Sequence, residues 1–177
     1  AEIDATLDLL DVVEFVVPEG VTGPLTGNRP FDPADLPEGV IPMATIVARI
    51  DSDPAVPVTA FGFGEGAAAL TVDEGRPPSG PDELAVAAGN DWNVGDEVMV
   101  AGEPMTVTGL LPELTLNAGM PVAVMPLTTF QTTFFGGAPL ATAEAVSGAI
   151  TTRQRATARR WVASLAVTST MRARPSG

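Results

Sequence analysis

The sequence predicts an α+β domain, and three observations predict it. Eighteen Gly and 17 Pro fall among 177 residues, a density of chain-turning residues that suits many short elements better than a helix bundle. Apolar and polar residues alternate through NVGDEVMVAGEPMTVTGLLPE, the clearest β-hairpin in the chain. The last stretch, from Glu144 to Met171, reads strand, helix, strand, which is a βαβ or split βαβ unit. At 45% hydrophobic residues and a mean hydropathy of +0.25 the chain can bury a sizeable core in one domain or two small ones.

The elements follow in order. In Thr6 to Val17 the second half is β-branched and aromatic and favours a strand, ended by Pro18 and Gly20. Residues 18–39 read as a loop, with a helical turn at Pro33 to Leu36 capped by Asp32. VIPMATIVARI, residues 40–50, reads as a buried strand, and Asp51 to Pro57 as a turn. Val58 to Phe63 is a short strand broken by Gly62, Gly64 and Gly66, twisted or bulged there. Ala67 to Val72 suits either strand or helix, and Asp73 to Pro81 is a plain loop. Glu83 to Ala87 is a strand followed by a turn at Gly89 to Asp91. In the hairpin, Val98 and Val100 form one face and Met105 and Val107 the facing one, linked by Ala101-Gly102-Glu103-Pro104.

Val122 to Met125 is a short buried strand ended by Pro126. Thr128 with Gln131 fits a capping box, Phe130 and Phe134 share one helical face, and Gly136-Gly137 supplies the stop. Glu144 to Ile150 alternates as a strand. Thr152 caps a helix from Arg153 to Leu165 whose apolar stripe is Ala158, Trp161, Val162 and Leu165, and Ala166 to Met171 is the closing strand.

Missing residue types narrow the chemistry. The chain has no Cys, His, Tyr or Lys, and its nine basic residues are all Arg. Zinc clusters, haem ligation, thiol catalysis, Ser-His-Asp triads, P-loops and Schiff bases are thereby excluded from this chain. The reading is therefore not an enzyme, with no catalytic residue, no cofactor and no metal site. Asp51-Ser52-Asp53 opens like a calcium loop, but Ala55, Val56 and Pro57 supply no further oxygen ligands, so it reads as an acidic turn. Asp73-Glu74 and Asp82-Glu83 are acid pairs without a cleft that sequence can show. Gly62 to Gly66 lacks phosphate-loop spacing and a following helix.

Net charge is −13, which argues against nucleic acid and anionic lipid as partners. Residues 1–144 hold all 22 acids against three Arg, a net of −19, and residues 145–177 hold six Arg and no acid, a net of +6. The basic end is either a solvated helix face answering an acidic body or a docking face near a membrane surface. The longest uncharged run, Leu114 to Ala143, is interrupted by Pro121, Pro126, Pro139, Gly119 and Gly136 and is rejected as a transmembrane helix. No signal peptide is visible, and an Ala1 start predicts a piece of a longer protein.

The stretch Glu83 to Glu113 resembles the extracytoplasmic core domain of FtsX-like, MacB-type ABC transporter permeases. The resemblance is carried by Glu83-Leu84-Ala85-Val86, Val94-Gly95-Asp96, Val98, Val100, Gly102, Val107-Thr108-Gly109-Leu110 and Val122 to Pro126. The approach EGRPPSGPDE, residues 74–83, and the final strand, helix and strand are similar to the family's as well. The resemblance is specific over residues 72–127. It implies an α+β fold with a split βαβ-type outer domain formed by both chain ends, residues 1–75 and 138–177, and an inserted mostly-β lobe, residues 76–137. It implies a cell-membrane protein with this domain extracytoplasmic, reached by the membrane only through flanking helices, a cytoplasmic ATPase partner, and a homo- or heterodimer in the full transporter. ATP hydrolysis by that partner would be coupled to export or to a partner outside the membrane. The contacting surface is expected in the 114–143 stretch, at Phe130, Phe134, Phe135 and Met120. Two other readings remain: a free-standing secreted binding module of small-β-barrel type, and a carboxylate-based hydrolase. A gene with flanking apolar spans of about twenty residues favours the permease.

Overall fold

The computed structural model describes residues 12–16, 30–36, 40–52, 54–64, 70–116 and 119–147. Among the described residues the chain is mostly β, with one α-helix and a sheet that closes on itself. The expected C-terminal helix and its closing strand lie outside the described residues.

Six strands make the closed part: β2 (Val40–Asp51), β3 (Val56–Phe63), β5 (Glu83–Ala87), β6 (Glu97–Val100), β7 (Glu103–Leu111) and β9 (Met120–Pro126). The ring runs β2-β3-β9-β5-β7-β6 and returns to β2. The β3–β9 and β5–β7 pairs are parallel and the others antiparallel. Closure is narrow, because β6 meets β2 only at Ile50↔Val100 and Asp51↔Met99. On the open side of β2, its first residues Val40–Met43 pair with β10 (Ala143–Ser147), which pairs in turn with β1 (Val12–Val16). Strand β2 therefore serves a three-stranded ribbon with one half and the barrel with the other. Two-residue strands β4 (Glu74–Gly75) and β8 (Thr115–Leu116) decorate β7 and β9.

The period-two pattern sets which side chains fill the barrel. Ala44, Ala48 and Ile50 of β2, Val58 and Ala60 of β3, Leu84 and Val86 of β5, Val98 and Val100 of β6, Met105 and Val107 of β7, and Ala123 and Met125 of β9 form one buried cluster with Trp92, Leu127 and Phe130. The intervening residues Ile41, Met43, Phe61, Ala85, Val122 and Val124 build a second cluster on the outer face. Strands β3, β5 and β9 are thus buried on both sides, which is why their sequences read as unbroken apolar runs.

Several expected elements are found: the strand at 12–16, the Asp32-capped turn, the strands expected at 40–50, 83–87 and 122–125, which run over 40–51, 83–87 and 120–126, and the hairpin. The hairpin link is tighter than expected. Only Ala101 and Gly102 turn the chain, with φ +53° and +85°, and Glu103 and Pro104 already belong to β7. The uncharged run folds as β8, β9 and helix α1 (Leu127–Phe135), with residues 117 and 118 outside the described set. Among the described residues no helix is long and apolar enough to cross a membrane.

Three readings are corrected. The capping box does not form: the helix begins at Leu127 with Pro126 at the cap, so Thr128 already lies inside the first turn, and Gln131 Nε2 instead donates to the Leu140 carbonyl at 3.1 Å. Strand β3 is not broken or bulged at Gly62, because its register against β2 is continuous from Val56 to Phe63. Asp73 to Pro81 is not a plain loop. Glu74 and Gly75 pair with β7, and Arg76 is locked to Glu83.

Candidate functional site

Helix α1 follows β9 directly and lies against β3. Gly62 makes that possible, because a Cβ there would stand 2.5 Å from Phe130 Cβ. With no side chain in the way, Phe130 enters the barrel core and is fully buried. Its ring meets Phe134 at 4.7 Å between centroids, tilted by 56°, and Phe135 at 5.5 Å, near edge-on. Gly136 ends the helix in the left-handed region.

Of the sequence-predicted contact residues, the structure brings Phe130, Phe134 and Phe135 into one aromatic cluster and keeps Met120 apart. Phe130 is core. Phe134 and Phe135 are half-buried against it, and Met120 is half-buried at the start of β9, paired with Leu116. Phe134 also forms one wall of a groove of about 680 Å3, whose other walls include Ile46, Val47, Arg49, Pro57 and Ala101. Ile46 and Val47 are 37% and 48% exposed although they sit mid-strand. Sequence reading missed them because VIPMATIVARI looks uniformly apolar. Arg49, the one charge inside that run, was the available signal that one end of the strand meets solvent.

A rigid brace lies beyond the other end of α1. Arg76 holds the Glu83 carboxylate through both amino groups, at 2.6 and 2.9 Å. Glu83 Oε2 also accepts from the Ser79 and Gly80 N–H groups, both at 2.9 Å. The Arg76 bonds, then those two amides, hold the Glu83 carboxyl down to about 2 from 4.5, and the pairing raises the Arg76 guanidinium further. Thr129 Oγ1 on α1 donates to the Gly80 carbonyl at 3.5 Å. In the Val94-Gly95-Asp96 turn, Asp96 Oδ2 accepts from Asn93 N–H at 2.8 Å, three residues back, and Gly95 N–H donates to the Val107 carbonyl.

Among the described residues no group of three or more His, Cys, Asp or Glu is arranged to hold a metal ion. Asp82 and Glu83 do not form a working acid pair: Glu83 is occupied by Arg76, and Asp82 turns the chain at φ +58°. Among the described residues, what the site offers is apolar surface, the exposed Arg49 guanidinium without an ion-pair partner, and strand edge, the materials of recognition.

No protein-family model matches the chain. Among curated proteins it is similar to an uncharacterized ABC transporter permease of Mycobacterium bovis and to one of Mycobacterium tuberculosis, each 34% identical over 157 residues. A second permease of M. tuberculosis is 33% identical over 153 residues. These alignments cover 81–83% of this chain but only 44–45% of the relatives, so the chain spans less than half of their length. Among solved structures it is similar to the extracellular domain of YknZ, an ABC-type transporter of Gram-positive bacteria, with a TM-score of 0.59, 16% identity, 90% of this chain and 95% of that one covered. The periplasmic region of MacB from Actinobacillus actinomycetemcomitans gives a TM-score of 0.54 at 12% identity over 80% and 79% of the two chains.

Proposed function

Since the chain is homologous to ABC transporter permeases and resembles the FtsX/MacB-like extracytoplasmic domains, we propose that it is the non-enzymatic outward-facing domain of such a permease. In this reading it couples ATP hydrolysis by a cytoplasmic partner to export, or to a partner outside the membrane. The observation that carries the reading is a coincidence of two kinds of match. The same stretch of chain aligns by sequence with permeases and by fold with transporter domains lying outside the cytoplasm. The lack of Cys, His and Lys and the Glu83–Arg76 pairing support a role by shape and motion.

A porter-like subdomain from residues 1–75 and 138–177, of split βαβ type, with residues 76–137 inserted, belongs to the same proposal. The β1-β10-β2 ribbon, drawn from both halves of the chain, supports it. The contacting surface is placed on the aromatic cluster of α1, with Phe134 at the groove. Deleting Thr129 to Gly136 would remove the fully buried Phe130 as well, so Phe134→Glu in the full-length permease is the sharper test. We expect export to fall about tenfold or more while the ATPase partner continues to hydrolyse ATP, a loss equal to roughly 1.4 kcal/mol of coupling. Unchanged export with normal permease levels would remove α1 from the contacting surface.

A further inference from the structure

Strand β2 is paired from Met43 to Ile50 along its β3 edge. Its other edge is interrupted. Strand β10 takes Val40–Met43 and β6 takes Ile50 and Asp51, so residues 44–49 have no strand neighbour there among the described residues. The direction of that edge is set by two bonds. The Met43 carbonyl accepts from Thr142 N–H, and Thr45 N–H donates to Thr142 Oγ1, each at 2.9 Å. Backbone groups of alternate residues point to the same edge, so those of Val47 and Arg49 face the gap too. At the start of the gap the buried Thr45 hydroxyl has no hydrogen-bond partner among the described residues. The gap opens into the groove walled by Phe134 and Ala101.

An open, apolar edge in a central strand is one that proteins ordinarily cover or charge. Its geometry selects what can cover it. A second copy presenting the same edge is blocked, because in each copy the gap is recessed between β10 and β6, and those strands would meet first. A lipid chain would leave a row of backbone donors and acceptors unsatisfied. An extended peptide satisfies that row and sets alternate side chains against Ile46 and Phe134, on the face of the sheet opposite to Arg49. Charge adds a further condition. Arg76 is held by Glu83, whereas Arg49 is exposed with no ion-pair partner among the described residues.

We infer that the edge of β2 at residues 44–49 is the docking site for an extended segment, roughly six residues long, of an extracytoplasmic partner protein, which adds as a strand between β10 and β6 with an acidic side chain opposite Arg49. This rests on the outward-facing reading above and names the site at which the partner engages.

The test uses the full-length permease in its native membrane with a benzophenone amino acid at position 46 and, as a control, at the exposed Met99. The expected result is a crosslink from 46 and none from 99, to a peptide that mass spectrometry identifies as one acid-containing segment of another protein. Arg49→Glu should lower the yield about tenfold, Arg49→Lys should retain it, and reversing the partner's acid should restore it with Arg49→Glu. Val47→Pro removes an N–H that faces the gap and spares the β3 ladder, and it should lower the yield similarly. If that variant fails to fold, the Arg49 pair still decides. A crosslink only to a second permease, to lipid or to another part of this chain, a yield indifferent to Arg49, or no crosslink overturns the inference. Met99→Cys, in a permease whose other cysteines are replaced, separates the two readings: the chain itself has no Cys. Failure of a membrane-impermeant maleimide to label it on intact cells defeats the outward-facing reading, whereas labelling without the crosslink defeats only the docking site.

Discussion

Glu83 carries the sharpest dependence on pH in the described structure. Its carboxyl is held at about 2, below its ordinary 4.5, so the folded state binds its proton more weakly than the unfolded chain does. The stabilisation is complete above about 4.5 and is lost as pH falls from there towards 2. Glu83→Gln should lower the unfolding midpoint at neutral pH and flatten the decline between those values, as urea titrations at stepped pH would measure. Ala101 offers the opposite kind of change. It holds φ +53° with a Cβ, in a two-residue turn whose second member is already Gly. Ala101→Gly should raise stability by about 1 kcal/mol, seen as a higher urea midpoint with an unchanged slope.

Helix α1 depends on what β3 lacks. The approach of Phe130 to Gly62 leaves no room for a methyl group, so Gly62→Ala should cost about 1–3 kcal/mol and Phe130→Ala about 3–5 kcal/mol. The double variant should cost nearly the sum, because Phe130→Ala keeps the Cβ that stands closest, at 2.5 Å, to the added one. Denaturant unfolding of the four proteins completes that cycle. Strands whose signal is local could be read from sequence: the alternation at 97–109, the apolar run at 120–126 and the Asp32 turn all depend on near neighbours. The capping box failed because Thr128 and Gln131 have the right spacing wherever the helix starts, and only the register of Pro126 against Phe63 decides that start. The groove was hidden for a related reason. Apart from Arg49, nothing in VIPMATIVARI tells which part of the strand loses its neighbour, since β10 and β6 come from residues far away in sequence.

Seen entire, the described molecule is a closed barrel with a ribbon attached along one of its own staves. The ring is thinnest where two residue pairs join β2 to β6 and two join β5 to β9, but only at the first of these does a strand, β6, turn one face to solvent. Native-state hydrogen exchange should therefore find amides at that seam opening at lower free energy than those of β5 and β9, which are buried on both faces. Equal protection at both places would show the seam to be as firm as the rest. Strand β2 passes through the whole arrangement, twelve residues without interruption. No joint separates its ribbon half from its barrel half, so a torque delivered to β1 and β10 travels down a single stiff shaft and turns the barrel directly, with no slack for a tether to take up.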